Sequence, residues 1–248
     1  MKNLVFGFIL LLASVVSASN TPEEIAARRL RGTGGMVADR RNQKGCVVAI
    51  NAQKIADDET LSSAIDRFAS EVHIAMKLEN GDFDLAAPAI RGEATLFFID
   101  SETLPISLVA PEAKWALVNI RKLKSDKPPF LKARVGKETF RTLCLLLGAG
   151  ASKYPSCITQ CVTKTEDLDE MPDIKMPLEF MARFETYLQG LGIVQYKVAS
   201  YRFAVHQGWA PQPTNDIQKA IWDKVHSIPD KPLKIKFDPA AQKGKVTK

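Results

Sequence analysis

The chain has 248 residues, 46% of them hydrophobic and 25% charged, with a formal net charge of +6 and an isoelectric point near 9.1. This is ordinary globular composition, with room for one domain of roughly 150–200 residues plus extensions. Much of the positive excess sits in Arg28, Arg29, Arg31, Arg40, Arg41 and Lys44 and in the tail KPLKIKFDPAAQKGKVTK. No aromatic residues interleave with the arginines, which excludes the pattern of a single-strand nucleic-acid binder and leaves no specific nucleic-acid partner. Both basic ends read as solvated, flexible segments, the alternative being attraction to anionic glycans, lipid headgroups or nucleic acid.

The first residues, MKNLVFGFILLLASVVSASN, carry Lys2, an apolar run from Leu4 to Val16 and small residues at Val16-Ser17-Ala18. That is the plan of a secretory signal cut after Ala18. The run is short for a bilayer span, and no cysteine follows it to take a lipid anchor. The expected mature chain is therefore secreted or periplasmic, bacterial in style, with no transmembrane segment after signal cleavage. Residues 19–44 follow as a basic flexible arm. Outside the cytosol thiols tend to pair, and Cys46, Cys144, Cys157 and Cys161 allow three connectivities. Cys157 and Cys161 flank an expected turn and are either a local disulfide or each bonded elsewhere.

GCVVAINAQ (45–53) is a β-branched run that predicts a buried strand. DDETLSSAIDRFASEV then places Leu61, Ile65 and Phe68 at helical spacing behind acidic residues and Thr60. HIAMKLE (73–79) predicts a second strand closed by Asn80-Gly81, and EATLFFID (93–100) and KWALVNIRKL (114–123) two more. SETLPISLVAPEA between them reads as an edge strand or loop. A Pro-rich connector, KSDKPPFLKARVG, leads to a helix over 137–147 that ends at Gly148 and Gly150, where a missing Cβ permits a left-handed turn. KTEDLDEMPDIKMP is an acidic, Pro-broken loop. LEFMARFETYLQGLG predicts a helix with Phe180, Met181, Phe184, Tyr187, Leu188 and Leu191 on one face. VQYKVASYRFAV reads as a strand pair and TNDIQKAIWDKVH as a capped amphipathic helix. Alternation of strands and helices, then mostly helices, gives an α/β or α+β fold with a mixed sheet, a core helix and a C-terminal helical extension.

The segment RTLCLLLGAGAS (141–152) resembles the zinc helix of metzincin proteases, and in particular of archaemetzincins, in spacing but not in ligands. That family carries HExxHxxGxxH, then C-x4-C-x-M and a later C-x-x-C. Two histidines at i and i+4 share one helix face, the glycine lets a third swing in, and the glutamate acts as general base on zinc-bound water. Aligned on Gly148, the histidine positions fall on Arg141, Leu145 and Ala151, and the glutamate position on Thr142. Leucine and alanine offer zinc no lone pair, and arginine brings a permanent positive charge. In the second part Ser152, Pro177 and Phe180 stand at cysteine positions and Thr159 at the methionine, with only Cys157 kept. The resemblance covers residues 45–192 and implies a metzincin-like domain with neither zinc site, so no cofactor is expected. Residues 193–248 form a C-terminal extension with the basic tail.

His73, His206 and His226 are the only histidines and no two lie at ligand spacing. Cys144 lies in an apolar helix run, as a buried inert thiol or a bridged one. Trp209 and Trp222 read as anchors of the C-terminal helix. The expected function is that of an exported, non-catalytic protease-like protein binding an extracytoplasmic protein or glycan. The alternatives are a hydrolase with an unrecognised active site and an envelope structural protein unrelated to proteases.

Overall fold

The computed structural model describes residues 32–125, 127–154, 157–171 and 178–227. The expected signal peptide, the first part of the arm and the basic tail lie outside them. The chain divides into two compact units, one of residues 38–198 and one built, among the described residues, from 32–37 and 199–227.

In the larger unit β2 (Val47–Ala52), β3 (Met76–Gly81), β4 (Ala94–Ile99), β5 (Ser107–Ala110) and β6 (Trp115–Asn119) form one sheet in the order β3-β2-β4-β6-β5. Neighbours run parallel except β5, an antiparallel edge strand with Ser107 opposite Val118. The α/β class with a mixed sheet, expected from the sequence, is the architecture observed. Every residue of β2 and β4 is buried, because both faces of the sheet are covered, and so they read as unbroken apolar runs. Val47, Ala49, Leu96, Phe98 and Val118 meet the helical layer, while Val48, Ile50, Phe97, Ile99 and Leu117 pack on the opposite face.

The helical layer is α1 (Asp58–Val72), α3 (Pro128–Leu146) and α5 (Leu178–Gly190). Asp57 starts α1 by accepting the Thr60 amide at 2.7 Å. Leu61, Ile65 and Phe68 are buried as their spacing predicts, and Phe68 meets the rings of Phe140 and Phe184 edge-on at 4.9 and 6.3 Å.

Several expected boundaries move. The strand expected over 73–79 runs from Met76 to Gly81, because Asn80 and Gly81 pair with Asn51 and Ala52 of β2 instead of making a turn. The strand foreseen over 114–123 stops at Asn119, where its ladder partners in β4 and β5 run out, and α2 (Ile120–Leu123) coils away. The core helix starts at Pro128 instead of 137. Prolines at its first positions lose nothing, since those N–H groups have no intrahelical acceptor. In the acidic loop, α4 (Glu166–Glu170) makes a helical turn, with Asp169 paired to Arg134 and Lys137 Nζ donating to the Leu168 and Met171 carbonyls at 2.8 and 2.7 Å. Within the arm, Met36–Asp39 is strand β1, paired with β7 (Lys197–Ser200), so that stretch is ordered rather than flexible.

In the smaller unit β7 is followed by α6 (Tyr201–His206) instead of a second strand, because Ser200 Oγ accepts the Phe203 amide and caps a helix. α7 (Asp216–His226) is capped by Asn215, as expected. Tyr201, Val205 and Ile221 form this unit's core, and Trp222 packs against it.

Helix α3 ends in a complete Schellman motif. Gly148 takes φ 87°, its N–H donates to Leu145 O at 3.2 Å, and the Ala149 N–H reaches back to Cys144 O at 2.9 Å. A Cβ at Gly148 lies 2.7 Å from Tyr187 Cγ. Gly148→Ala therefore combines left-handed strain with overlap against a ring, and urea unfolding should show a loss on the order of 2–4 kcal/mol. A loss no larger than that of Ala at an exposed helix site contradicts this packing.

Candidate functional site

Helix α3 carries Arg141, Thr142 and Leu145 on its second half, and Glu138 gathers the first two. Glu138 is fully buried and Arg141 only 7% exposed. Arg141 Nε and Nη2 donate to Glu138 Oε2 and Oε1 at 2.9 and 2.7 Å, a two-point pairing. Arg141 Nη2 also donates to Ser107 Oγ on edge strand β5 at 2.7 Å, and Nη1 to Gln160 O at 3.3 Å. Thr142 Oγ1 donates to Glu138 Oε1 at 3.2 Å. Arg141 and Thr142 are thus brought together around one carboxylate, whereas Leu145 is half-buried and Ala151 exposed.

Glu138 is the residue that the sequence reading missed. Its signal was a Glu–Arg pair three apart, just before the apolar run Leu143–Leu147. Arg141, Leu145 and Ala151 do not fit a zinc ion: Arg141 is a guanidinium committed to an internal ion pair, and Leu145 and Ala151 offer only hydrocarbon. None has a lone pair to give. Among the described residues no three His, Cys, Asp or Glu side chains gather as a metal ion requires.

Beyond Gly148 the chain turns back on itself, with the Ser152 N–H donating to Thr159 O at 3.0 Å. Thr159 is buried, and its hydroxyl lies 3.3 Å from Cys157 Sγ. The expected Cys157–Cys161 bridge is not formed. Cys157 packs in the core while Cys161 is exposed, and all four cysteines are free. Complete burial pushes the Cys144 thiol well above its ordinary range, with Cys157 adding to the shift, so Cys144 is an inert core thiol. Pro177 lies outside the described residues, as does the side chain of Phe180. His73 takes a left-handed conformation at the end of α1, and His226 stacks on Trp222.

The open space adjoining the motif lies past its glycine. A cavity of about 690 Å³ is lined by Gly148, Pro111 and Lys114 of the β5–β6 turn, and Arg183, Tyr187 and Leu191 of α5 and its end. Tyr187 spans it, its hydroxyl donating to Pro111 O at 3.1 Å. Burial, and secondarily the Glu112 carboxylate, raise the Tyr187 hydroxyl above its usual pKa and keep it a donor. The floor is apolar and aromatic, while Glu112, Lys114 and Arg183 are exposed at the rim. Such a site suits binding of an apolar group with polar ends.

No family model matches the chain, and no curated protein matches its sequence. Solved structures similar in fold include the following three. The archaemetzincin of Methanopyrus kandleri has 14% identity over 60% of this chain and 98% of its own, with a TM-score of 0.49. That of Archaeoglobus fulgidus, complexed with malonate, has 13% identity over 56% and 99%, with a TM-score of 0.46. A zinc-dependent peptidase from Methanocorpusculum labreanum has 13% identity over 56% and 99%, with a TM-score of 0.45.

Two outcomes follow from this geometry. Arg141→Met and Glu138→Met should each cost about 3–5 kcal/mol in chemical unfolding, since each strands a buried charge, and the double variant less than either. Additive losses contradict the pairing. Native thiol labelling followed by mass mapping should modify Cys161 first and Cys46 more slowly. Cys144 and Cys157 should react only after unfolding without reductant, and a disulfide-linked peptide contradicts this.

Proposed function

We propose that the protein is an exported, non-catalytic relative of metzincin-type proteases that binds an extracytoplasmic protein through the cavity beside Gly148. The observation that carries this reading is the buried Arg141–Glu138 pair, at 2.7 Å, on the helix face where a metalloprotease presents its ligands. Polarising a peptide carbonyl and activating water need a Lewis acid and a base open to substrate. Arg141 and Thr142 both face a carboxylate inside the protein, and the guanidinium cannot lose its proton to act as a base. What stays accessible is the apolar cavity, whose Tyr187 and rim charges can orient a partner's side chain without reacting with it.

The purified mature protein is expected to bind no stoichiometric zinc by metal analysis and to leave a peptide library uncut. A variant combining Arg141→His, Thr142→Glu, Leu145→His and Ala151→His, with Glu138→Gln to avoid an orphaned buried carboxylate, should take up zinc. Chelator-sensitive peptide cleavage by the unmodified protein contradicts the proposal. A folded combined variant that takes up no zinc contradicts the metzincin relationship.

A further inference from the structure

We infer that the crevice at the C-terminal ends of β2, β3 and β4 is a second binding site, for small primary amines carrying an apolar body. The sheet order places it. The chain leaves β2 through α1 to reach β3 on one side, whereas β4 continues to β5 and β6 on the other. Connections therefore diverge between β2 and β4, and in open α/β sheets such a switch point leaves a crevice where ligands bind. Here it is a cavity of about 310 Å³ whose lining comes from the segments following all three strands.

Its walls are held in place before any ligand arrives. Asn51, buried at the end of β2, donates to Ala56 O and Asp58 Oδ1, both at 3.0 Å, and fixes the loop that leads into α1. Asn119, buried at the end of β6, donates to Ser101 O and Leu104 O, both at 2.9 Å, and accepts the Ser101 N–H at 3.1 Å. The Gln53 N–H ties the first loop to Gly81 O at 3.0 Å. Gln53 and Lys54 hold φ of 57° and 54°, an unusual conformation for two successive non-glycine residues, sustained by these bonds. A rigid, pre-formed crevice loses little freedom when it binds.

The lining sets the ligand class. Ala52 and Ile99 form a buried floor, and Ile55, Phe83 and Leu104 are half-buried walls. The charged lining residues are both carboxylates, Asp84 and Asp100. Asp100 is paired with Lys124 and Arg121, whose hydrogen bonds, Lys124's first, hold its carboxyl below the usual range. Among the described residues Asp84 accepts the Ala86 N–H through Oδ1, at 2.9 Å, and its Oδ2 is left for a ligand. An anion meets no cation on these walls, whereas an ammonium on an aromatic or aliphatic body meets both Asp84 and the ring of Phe83.

The test uses phenethylamine as probe, with phenylacetate as a control of like shape and opposite charge, and follows backbone amides of the full mature chain by NMR. Phenethylamine should shift the amides of Gln53, Asp84 and Ser101 at millimolar concentration. Phenylacetate, and phenethylamine with Asp84→Asn, should bind about tenfold or more weakly, the worth of one charge-assisted bond. Asn keeps the Oδ1 acceptor for Ala86, so the loop is preserved. Equal binding of both probes, unchanged affinity in the variant, or no shift at these amides overturns the inference. Shifts confined to Lys114, Tyr187 and Leu191 also overturn it and point to the cavity beside Gly148, so the two sites are separated in one experiment.

Discussion

A guanidinium and a carboxylate can share a protein interior only if hydrogen bonds replace those lost to water, because each ion costs several kcal/mol to take out of water. Glu138 and Arg141 engage four of the five guanidinium N–H groups and both carboxylate oxygens by drawing on three segments. Thr142 supplies a donor from the next helical position, Ser107 an acceptor from the edge strand, and Gln160 a carbonyl from the turn after α3. The pair therefore fixes α3 against β5 and holds residues 157–160 onto the helix. The positions of Gly148, of Tyr187 across from it and of the cavity between them follow from that anchoring.

The same geometry separates two uses of one helix plan. Residues at i and i+4 on an inward face can hold a metal when they carry nitrogen donors and open onto solvent. Here the first of them, Arg141, is an internal cation and the second, Leu145, is half-buried leucine, and the face is part of the packing. The glycine after the helix keeps a role in either case, since the reversal it makes is a property of backbone and not of ligands. In this protein the reversal also clears room against Tyr187, so the open volume lies beside Gly148 and not along the Arg141 face of the helix.

Much of the fold was legible because burial leaves direct marks on sequence. Strands β2 and β4 are apolar at successive positions because both of their faces are covered, and α1 shows its single buried stripe through Leu61, Ile65 and Phe68. Boundaries set by tertiary partners were not legible. Nothing local says that β6 stops at Asn119, because the reason is the end of its neighbours' ladders. Pro128 and Pro129 looked like a connector, yet at the start of a helix their missing N–H groups cost nothing. Ser200 hid a helix cap inside a β-branched run. At the site the spacing around Gly148 was readable, but Glu138 was not weighed, because a Glu–Arg pair on a helix is ordinarily a surface feature. The cysteine pairing expected from export took no account of which thiol faces the core. The two cavities arise from chain segments distant in sequence, and no local pattern encodes them.

The central claim is that Arg141 is an internal structural cation, and side-chain NMR on the arginine-labelled protein tests it most directly. A guanidinium locked between Glu138, Ser107 and Gln160 should give separate, slowly exchanging Nη hydrogens and an Nε–H protected from solvent. Both should be lost in Glu138→Gln while the backbone spectrum stays folded. Averaged, solvent-exchanging Nη signals for Arg141 in the unmodified protein would place its side chain in water and contradict the account.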